Sequence, residues 1–107
     1  MVTETIPTVT SFAAHAAANL FLSEHLPDRF CANDPVWDGQ RNLWRVPVVL
    51  AYPFAGSVGQ VGEIAIDASS EEVVSHTPFE EMKSRARGLY KQHRESIEAA
   101  FLQTRNS

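Results

Sequence analysis

A chain of 107 residues, 44% hydrophobic and 21% charged, suits one soluble globular domain with a single core. Its net charge of −4 gives no general attraction to nucleic acid or to anionic membranes. Its one cysteine, Cys31, excludes an internal disulfide and a cysteine-based metal site, and it suits a reducing compartment.

The N-terminal part predicts a short tail followed by a helix. Residues 1–7 contain one acid and no base, so they lack the positive end of a secretory signal, and we expect a flexible tail. Apolar residues at helical spacing then predict a helix, which Thr8 or Thr10 can cap and which Pro27 ends. Its most apolar part is far shorter than the roughly 20 residues that a bilayer span needs, and we expect a cytoplasmic protein.

The middle of the chain predicts antiparallel strands. Asp38-Gly39 is a hairpin-turn signal, and a short strand at Phe30–Cys31 or Val36–Trp37 can lead into it. In the run from Leu43 to Tyr52 the alternate residues are apolar, which predicts a strand with one buried face.

Pro47 lies inside this run and cannot donate to a strand ladder. We therefore expect an edge strand, or a bulge, at this position. The residues from Tyr52 to Gly62 predict a glycine-rich connection, since glycine and proline favour turns. Two further strands follow in the prediction, one over Val61–Asp67 and one over Glu72–His76.

Thr77, Pro78 and Glu80 form the sharpest helix-start signal in the chain. Threonine followed by proline, with glutamate three residues after the threonine, makes a capping box. Apolar residues at steps of three and four then predict about twenty-five residues of helix, ending near Leu102. The whole pattern predicts an α+β fold: an N-terminal helix, a three-stranded or four-stranded antiparallel meander and a long C-terminal helix. We expect both helices on one face of the sheet, within a single domain over residues 8–104.

The predicted strands resemble those of the PepSY family of small modules. That family has a Trp-x-Val element, followed by a strand that ends in a motif like Val-Asp-Ala-x-Thr-Gly-Glu-Val. The matching stretches here are Trp44-Arg45-Val46 and the residues from Ile66 to Val73. Glu71 stands where the family has its turn glycine, and the long C-terminal helix is not part of the usual module. The resemblance implies that Asp67 caps the turn and that the role is inhibitory or binding rather than catalytic.

Aromatic residues near turns are candidates for partner binding. Trp37 and Phe54 lie in turn sequence beside the strand that contains Pro47, and aromatic side chains often anchor a protein partner at such places. The sheet face away from the helices, or the edge at Pro47, is a natural site for self-association. We therefore expect a homodimer or an unidentified protein partner, and no membrane contact.

The C-terminal helix carries a basic face that can meet phosphates. Residues 77–107 contain six basic and four acidic residues, whereas residues 1–76 contain three basic and nine acidic ones. The face consists of Lys83, Arg87, Lys91 and Arg94. Acids interleave it at ion-pair spacing, in the pairs Glu81–Arg85, Lys91–Glu95 and Arg94–Glu98, so a solvated face is favoured over nucleic-acid binding.

Other reactive side chains lack the spacing that chemistry needs. The glycines within residues 56–62 precede a strand rather than a helix, which predicts a hairpin connection and not a phosphate cradle. No two of the four histidines lie one helical turn apart, and nothing local pairs Cys31 with a base. Asp67, Glu71 and Glu72 crowd one turn without the spacing of a calcium loop. We expect no metal, no cofactor and no catalytic residue.

Three functions stay open from the sequence. The first is a small non-catalytic protein-interaction or regulatory module. The second is a nucleic-acid-associated protein that uses the basic helix face. The third is a small-ligand binder or enzyme with a pocket between helix and sheet, in which His76 or His93 titrates.

Overall fold

The computed structural model describes residues 8–53 and 55–106, with the backbone alone for residues 103–106. The tail predicted for residues 1–7 and the side chain of Phe54 lie outside the described residues. The fold is α+β, as predicted, with an N-terminal helix, a curled antiparallel sheet and a long C-terminal helix. The elements are α1 (Ser11–His25), β1 (Phe30–Ala32), β2 (Val36–Asp38), β3 (Leu43–Tyr52), β4 (Gly56–Asp67), β5 (Val73–His76) and α2 (Phe79–Asn106).

Helix α1 begins and ends where the sequence predicts. Thr10 is the N-cap, and its Oγ1 accepts a hydrogen bond from the amide of Ala13 at 3.1 Å. This bond satisfies one of the amides that have no partner within the first turn. At the other end the amide of Leu26 donates to the carbonyl oxygen of Leu22, and Pro27 follows.

Strand β3 lies in the interior of the sheet, and the prediction of an edge strand is wrong. It pairs with β4 on one side and with β1 and β2 on the other. Ala32 pairs with Val48 and Val36 pairs with Arg45, so three residues on one strand face two on the other. This extra residue is a bulge, which was the alternative prediction. Pro47 lies opposite this bulge, and its carbonyl oxygen accepts a hydrogen bond from the Asn33 amide at 2.8 Å. Proline has no backbone N–H to donate, and this missing donor faces the interruption between β1 and β2.

The glycine-rich connection predicted between Tyr52 and Gly62 is largely strand. Strand β4 begins at Gly56, which pairs with Tyr52, and the β3–β4 pairing contains two register shifts. Gly59 and Gly62 allow close packing with α2 rather than a flexible loop. A Cβ atom built on Gly59, which has a φ of 155°, would lie 2.9 Å from Cδ2 of Leu89.

Helix α2 begins one residue later than the capping box predicts and ends later than Leu102. Its first hydrogen bond joins the amide of Met82 to the carbonyl oxygen of Pro78. Thr77 Oγ1 instead accepts the amide of Glu63, and the Thr77 amide donates to the Glu63 carbonyl. Thr77 therefore continues the pairing of β5 with β4. The Glu63 amide in the sheet needs a hydrogen-bond partner, as the amides at the start of a helix do, and Thr77 Oγ1 serves the sheet.

Both helices pack on one face of the sheet, as predicted. The core consists of the inward side chains of β3 and β4, including Val46, Ile64 and Ile66, together with the inward faces of α1 and α2. Each fully buried isoleucine contributes about 1.5–3 kcal/mol of transfer free energy. The two helices also meet directly, since the rings of Phe21 and Phe79 are 5.7 Å apart.

Candidate functional site

Trp37 and Pro47, two of the three residues predicted to bind a partner, lie on opposite faces of the sheet. Trp37 lies on β2 rather than in a loop, and its half-buried ring lies 5.1 Å from the ring of Trp44. Trp44 in turn donates from Nε1 to the carbonyl oxygen of Val9 at 2.8 Å. Pro47 is half-buried and lies on the opposite sheet face from Trp44, since neighbouring residues along a strand alternate between faces. Phe54 is not described.

The sheet face away from the helices carries buried apolar residues, an ion pair and one exposed valine. Val49 and Ala65 lie on this face and are only 9% and 7% exposed. Arg45 and Glu63 cover part of it with an ion pair of 2.9 Å between Nη2 and Oε1. The hydrogen bond to Glu63 raises the pKa of Arg45, which keeps the arginine charged. Val36 pairs with Arg45 on the same face and is 57% exposed, and self-association through this face stays a prediction.

The outer side of α1 exposes large apolar side chains instead. Phe12 is 82% exposed and Leu20 is 61% exposed, and the exposed Ala16 lies between them at the same helical face. We call Phe12, Ala16 and Leu20 the apolar stripe. Lysine and arginine are absent from this helix, and Glu24 is its one carboxylate.

The apolar stripe borders an edge of the sheet. Strand β5 ends the strand order, so its outer backbone groups face away from β4. A shallow groove lies between α1 and β5, and Val74 beside it is 53% exposed. Its apolar lining residues are Ala16, Ala17, Leu20, Phe21 and Val73, and its charged lining residues are Glu24 and Glu71. The sequence pattern did not predict this surface, because helical spacing alone does not show which side of α1 faces the sheet. The available signal was that nine of its fifteen residues are apolar, too many for one buried face.

The predicted basic face divides into paired and groove-lining residues. Arg94 pairs with Glu98 at 3.0 Å, and Arg85 pairs with Glu81 at 2.6 Å, as the sequence spacing predicts. The third predicted pair, Lys91 with Glu95, is not among the ion pairs within the described part of the chain. The hydrogen bond that Arg94 donates to the Glu98 carboxylate raises the pKa of Arg94.

The remaining cations surround an open groove of about 420 Å³ between α2 and one end of β1 and β3. We call it the basic groove. Its charged lining residues are Arg29, Lys83, Arg87 and Lys91, and its uncharged lining residues are Pro27, Phe30, Leu50, Tyr52, Ala86 and Tyr90. It is a helix–sheet pocket of the kind that the third predicted function needs, and neither His76 nor His93 lines it. No local sequence pattern joins Arg29 to the cations of α2, because the fold alone brings them together.

The histidines have structural partners rather than a shared site. His76 hydrogen-bonds through Nδ1 to the carbonyl oxygen of Thr77 and stacks on Phe79, with ring centroids 4.5 Å apart. His15 Nε2 lies 3.1 Å from the carbonyl oxygen of Ala32. His93 is half-buried on α2. These contacts fix the junction of the two helices and the packing of α1 on β1.

The acidic turn after β4 is a backbone cap. Asp67 Oδ1 accepts the amides of Ser69 and Ser70 at 2.7 and 2.9 Å, which confirms the capping role that the sequence predicts. These amides lower the pKa of Asp67, since they stabilise its ionised form. Cys31 is half-buried on β1. Within residues 8–53 and 55–106, no three His, Cys, Asp or Glu side chains are grouped so as to hold a metal ion.

The chain matches no protein-family model, no curated protein and no solved structure. The PepSY resemblance therefore stays a prediction. At the position of the family's turn glycine, Glu71 has a φ of 68°, a left-handed conformation that glycine adopts without strain. In the described part of the chain, no helix is long and apolar enough to cross a membrane.

Proposed function

We propose that this protein is a non-catalytic protein-interaction module that acts as a homodimer through the apolar stripe of α1. The observation that carries the proposal is the exposure of Phe12 and Leu20 on a helix with a single carboxylate and no lysine or arginine. Centres of protein interfaces are depleted in charge and rich in such side chains. An exposed apolar row of this kind marks an interaction surface.

The spacing of the apolar stripe suits a second copy of the same chain. Phe12 and Leu20 lie four residues on either side of Ala16, about 6 Å along the helix axis in each direction. If two copies of α1 pack antiparallel with Ala16 on the two-fold axis, Phe12 of each copy faces Leu20 of the other. Such an interface is self-complementary, as a two-fold dimer requires, and the small alanine lets the helices approach closely.

The energetics predict a dimer of modest affinity. Burying one phenylalanine or leucine side chain contributes about 1.5–3 kcal/mol, so the four side chains of two stripes contribute about 6–12 kcal/mol. Association costs about 4–15 kcal/mol in lost freedom. The most favourable case, about 12 kcal/mol of burial against about 4 kcal/mol of cost, leaves about 8 kcal/mol, so the dissociation constant is at its tightest about 1 μM.

Sedimentation equilibrium from about 1 μM to 1 mM tests the proposal against that range. The mass should rise with concentration towards twice the 11.9 kDa of the chain. Leu20→Lys should weaken dimerisation by about 100-fold or more, because two buried leucines are lost. Leu102→Lys is the matched control, since Leu102 is 55% exposed on α2, outside the apolar stripe, and should leave the dimer unchanged.

Two outcomes would overturn the homodimer. One is a monomer mass at every concentration. The other is an equal effect of Leu20→Lys and Leu102→Lys, which would mean that added charge, rather than the apolar stripe, controls association.

The interaction module also fits the other features of the chain. The PepSY resemblance supports a binding or inhibitory role and transfers no catalytic residue. The single, half-buried Cys31 supports action in the reducing environment of the cytoplasm. A regulatory role through a protein partner is thus the function that the features of this chain support best.

A further inference from the structure

We propose that the basic groove binds a small amphiphilic anion, a molecule with an apolar ring or alkyl body and one carboxylate or phosphate group. This site is separate from the apolar stripe, and it stands whether or not the protein dimerises. Its lining combines two features, a rim of cations and an apolar floor, that together select this class of ligand.

The rim is a cluster of positive charge in an acidic protein. Every charged residue that lines the groove is a cation, whereas the chain as a whole has a net charge of −4. Lys83 lies 3.5 Å from Glu80, but no carboxylate of the described residues pairs with Arg29, Arg87 or Lys91. A local excess of positive charge over a low-dielectric wall attracts anions.

The spacing on α2 strengthens this argument. Lys83, Arg87 and Lys91 follow one another at four-residue intervals, so like charges lie one turn apart along the groove. Like charges at this spacing destabilise a helix. By contrast, Arg85 and Arg94 on the same helix each have a glutamate four residues away as a partner. Lys83 has Glu80 as a partner at 3.5 Å, so an anion bound in the groove supplies the partner that Arg87 and Lys91 lack along the helix.

The floor requires more than an anion. Phe30, Leu50, Tyr52 and Tyr90 provide apolar and aromatic surface, and the two tyrosine rings lie 6.1 Å apart. Arg29 Cζ lies 5.3 Å from the centre of the Tyr52 ring, which holds this cation at the rim above the aromatic floor. A flat or flexible apolar body can therefore lie on the floor while its acidic group reaches the rim.

The size of the groove favours a small ligand over a nucleic acid. About 420 Å³ lies within the range of small-molecule sites. A nucleic-acid strand needs a basic path that follows its backbone over several phosphates. Here the next cation along the helix, Arg94, is neutralised by Glu98, so the basic surface ends after about two turns beyond Lys83.

The test is a titration of the full chain with naphthalene-2-carboxylate and with decanoate, followed by calorimetry and by amide chemical shifts. We expect saturable binding, with the largest shifts around Tyr52 and Tyr90. Naphthalene-2-methanol lacks the anion, and inorganic phosphate lacks the apolar body, so each should bind at least about tenfold more weakly.

Two double variants give a matched comparison of charge. Arg87→Gln with Lys91→Gln should weaken carboxylate binding by about tenfold or more. Arg85→Gln with Arg94→Gln removes the same charge from the same helix outside the groove, and it should change affinity by less than about twofold. Thermal unfolding of both variants checks that the fold persists, which is expected because all four side chains are exposed.

Four outcomes would overturn the proposal. They are the absence of saturable binding by either carboxylate, equal binding of the neutral alcohol, equal losses in the two double variants, and tighter binding of a single-stranded oligonucleotide than of either carboxylate at the same surface. The last outcome would assign the basic groove to nucleic acid.

Discussion

Gly62 lies where α2 packs closely on β4, and adding one methyl group there should cost substantial stability. A Cβ atom at this position would lie 2.9 Å from Cγ of Met82 and 2.9 Å from Cβ of Thr77. Nonbonded carbon atoms are most stable about 3.5–4.0 Å apart, so both contacts are too short. Met82 is fully buried, and Thr77 is held by two hydrogen bonds to Glu63, so neither neighbour can move freely.

The magnitude for Gly62→Ala follows from these two contacts. Overpacking a core costs about 1–3 kcal/mol, and two restrained neighbours place the cost near the upper limit. Alanine returns about 0.4–1 kcal/mol by restricting the unfolded chain. The free energy of unfolding should therefore fall by about 2 kcal/mol, which corresponds to a Tm lower by about 8–16 °C.

The assay is urea unfolding followed by tryptophan fluorescence, at one fixed protein concentration because dimerisation would shift the transition. Gly88→Ala is the control, since nothing lies within 4 Å of a Cβ atom there and Gly88 is inside α2. It should gain about 1 kcal/mol from helix propensity. If Gly62→Ala is as stable as the wild type, then Met82 and Thr77 move aside without a loss of stability. The close packing of α2 on β4 would then contribute nothing to the free energy of unfolding.

Two further predictions concern the turn between β4 and β5. Glu71→Gly should raise the free energy of unfolding by about 0.5–1 kcal/mol, because it removes left-handed strain of about 1–2 kcal/mol and adds about 0.4–1 kcal/mol of unfolded-state entropy. Glu72→Gly removes the same charge at the next position, where φ is not positive, and should destabilise; a stabilisation of both variants in urea unfolding would refute the strain argument. The lowered pKa of Asp67 means that its carboxylate stabilises the fold fully above its ordinary pKa of 3.8 and loses this contribution as the pH falls through the folded value. The stability advantage of wild type over Asp67→Asn should therefore be constant between about pH 6 and pH 8 and smaller at about pH 3, and an advantage that does not change with pH would contradict it.

Local signals in the sequence predicted the parts of the fold that local interactions control. Thr10 caps the start of α1 and Pro27 follows its end, because capping and the absence of a proline amide act within a few residues. Asp67 caps its turn for the same reason. The hairpin after Asp38 also forms as predicted, although the left-handed residue is Asn42 with a φ of 53° rather than Gly39.

The failures concern long-range packing. Nothing local to Pro47 indicates that β1 and β2 pair with the same side of β3, so an edge strand was the simpler prediction. Gly59 and Gly62 signalled a loop, whereas they serve the contact with α2 from far along the chain. Thr77 fits the sequence pattern of a helix N-cap, but its Oγ1 accepts a hydrogen bond from the Glu63 amide across the sheet instead.

The candidate surfaces follow the same division. The spacing of Lys83, Arg87 and Lys91 was visible in the sequence, but Arg29 and the aromatic floor join them only in the folded chain. The apolar stripe was not predicted for a different reason. Helical periodicity shows which residues share a face, and it cannot show which apolar face of α1 packs on the sheet.

The bulge opposite Pro47 divides one edge of the sheet into two segments, β1 and β2. Between β1 and β2, the Asn33 amide is the backbone donor that holds the bulged segment to Pro47, and proline offers no donor in return. We expect amide hydrogen exchange in β1 and in β2 to occur by separate opening events. Strand β1 carries Phe30 at one side of the basic groove, so its opening would widen that groove while Trp37 stays packed on Trp44. We therefore expect β1 to be a side of the basic groove that can open while the contact between Trp37 and Trp44 persists.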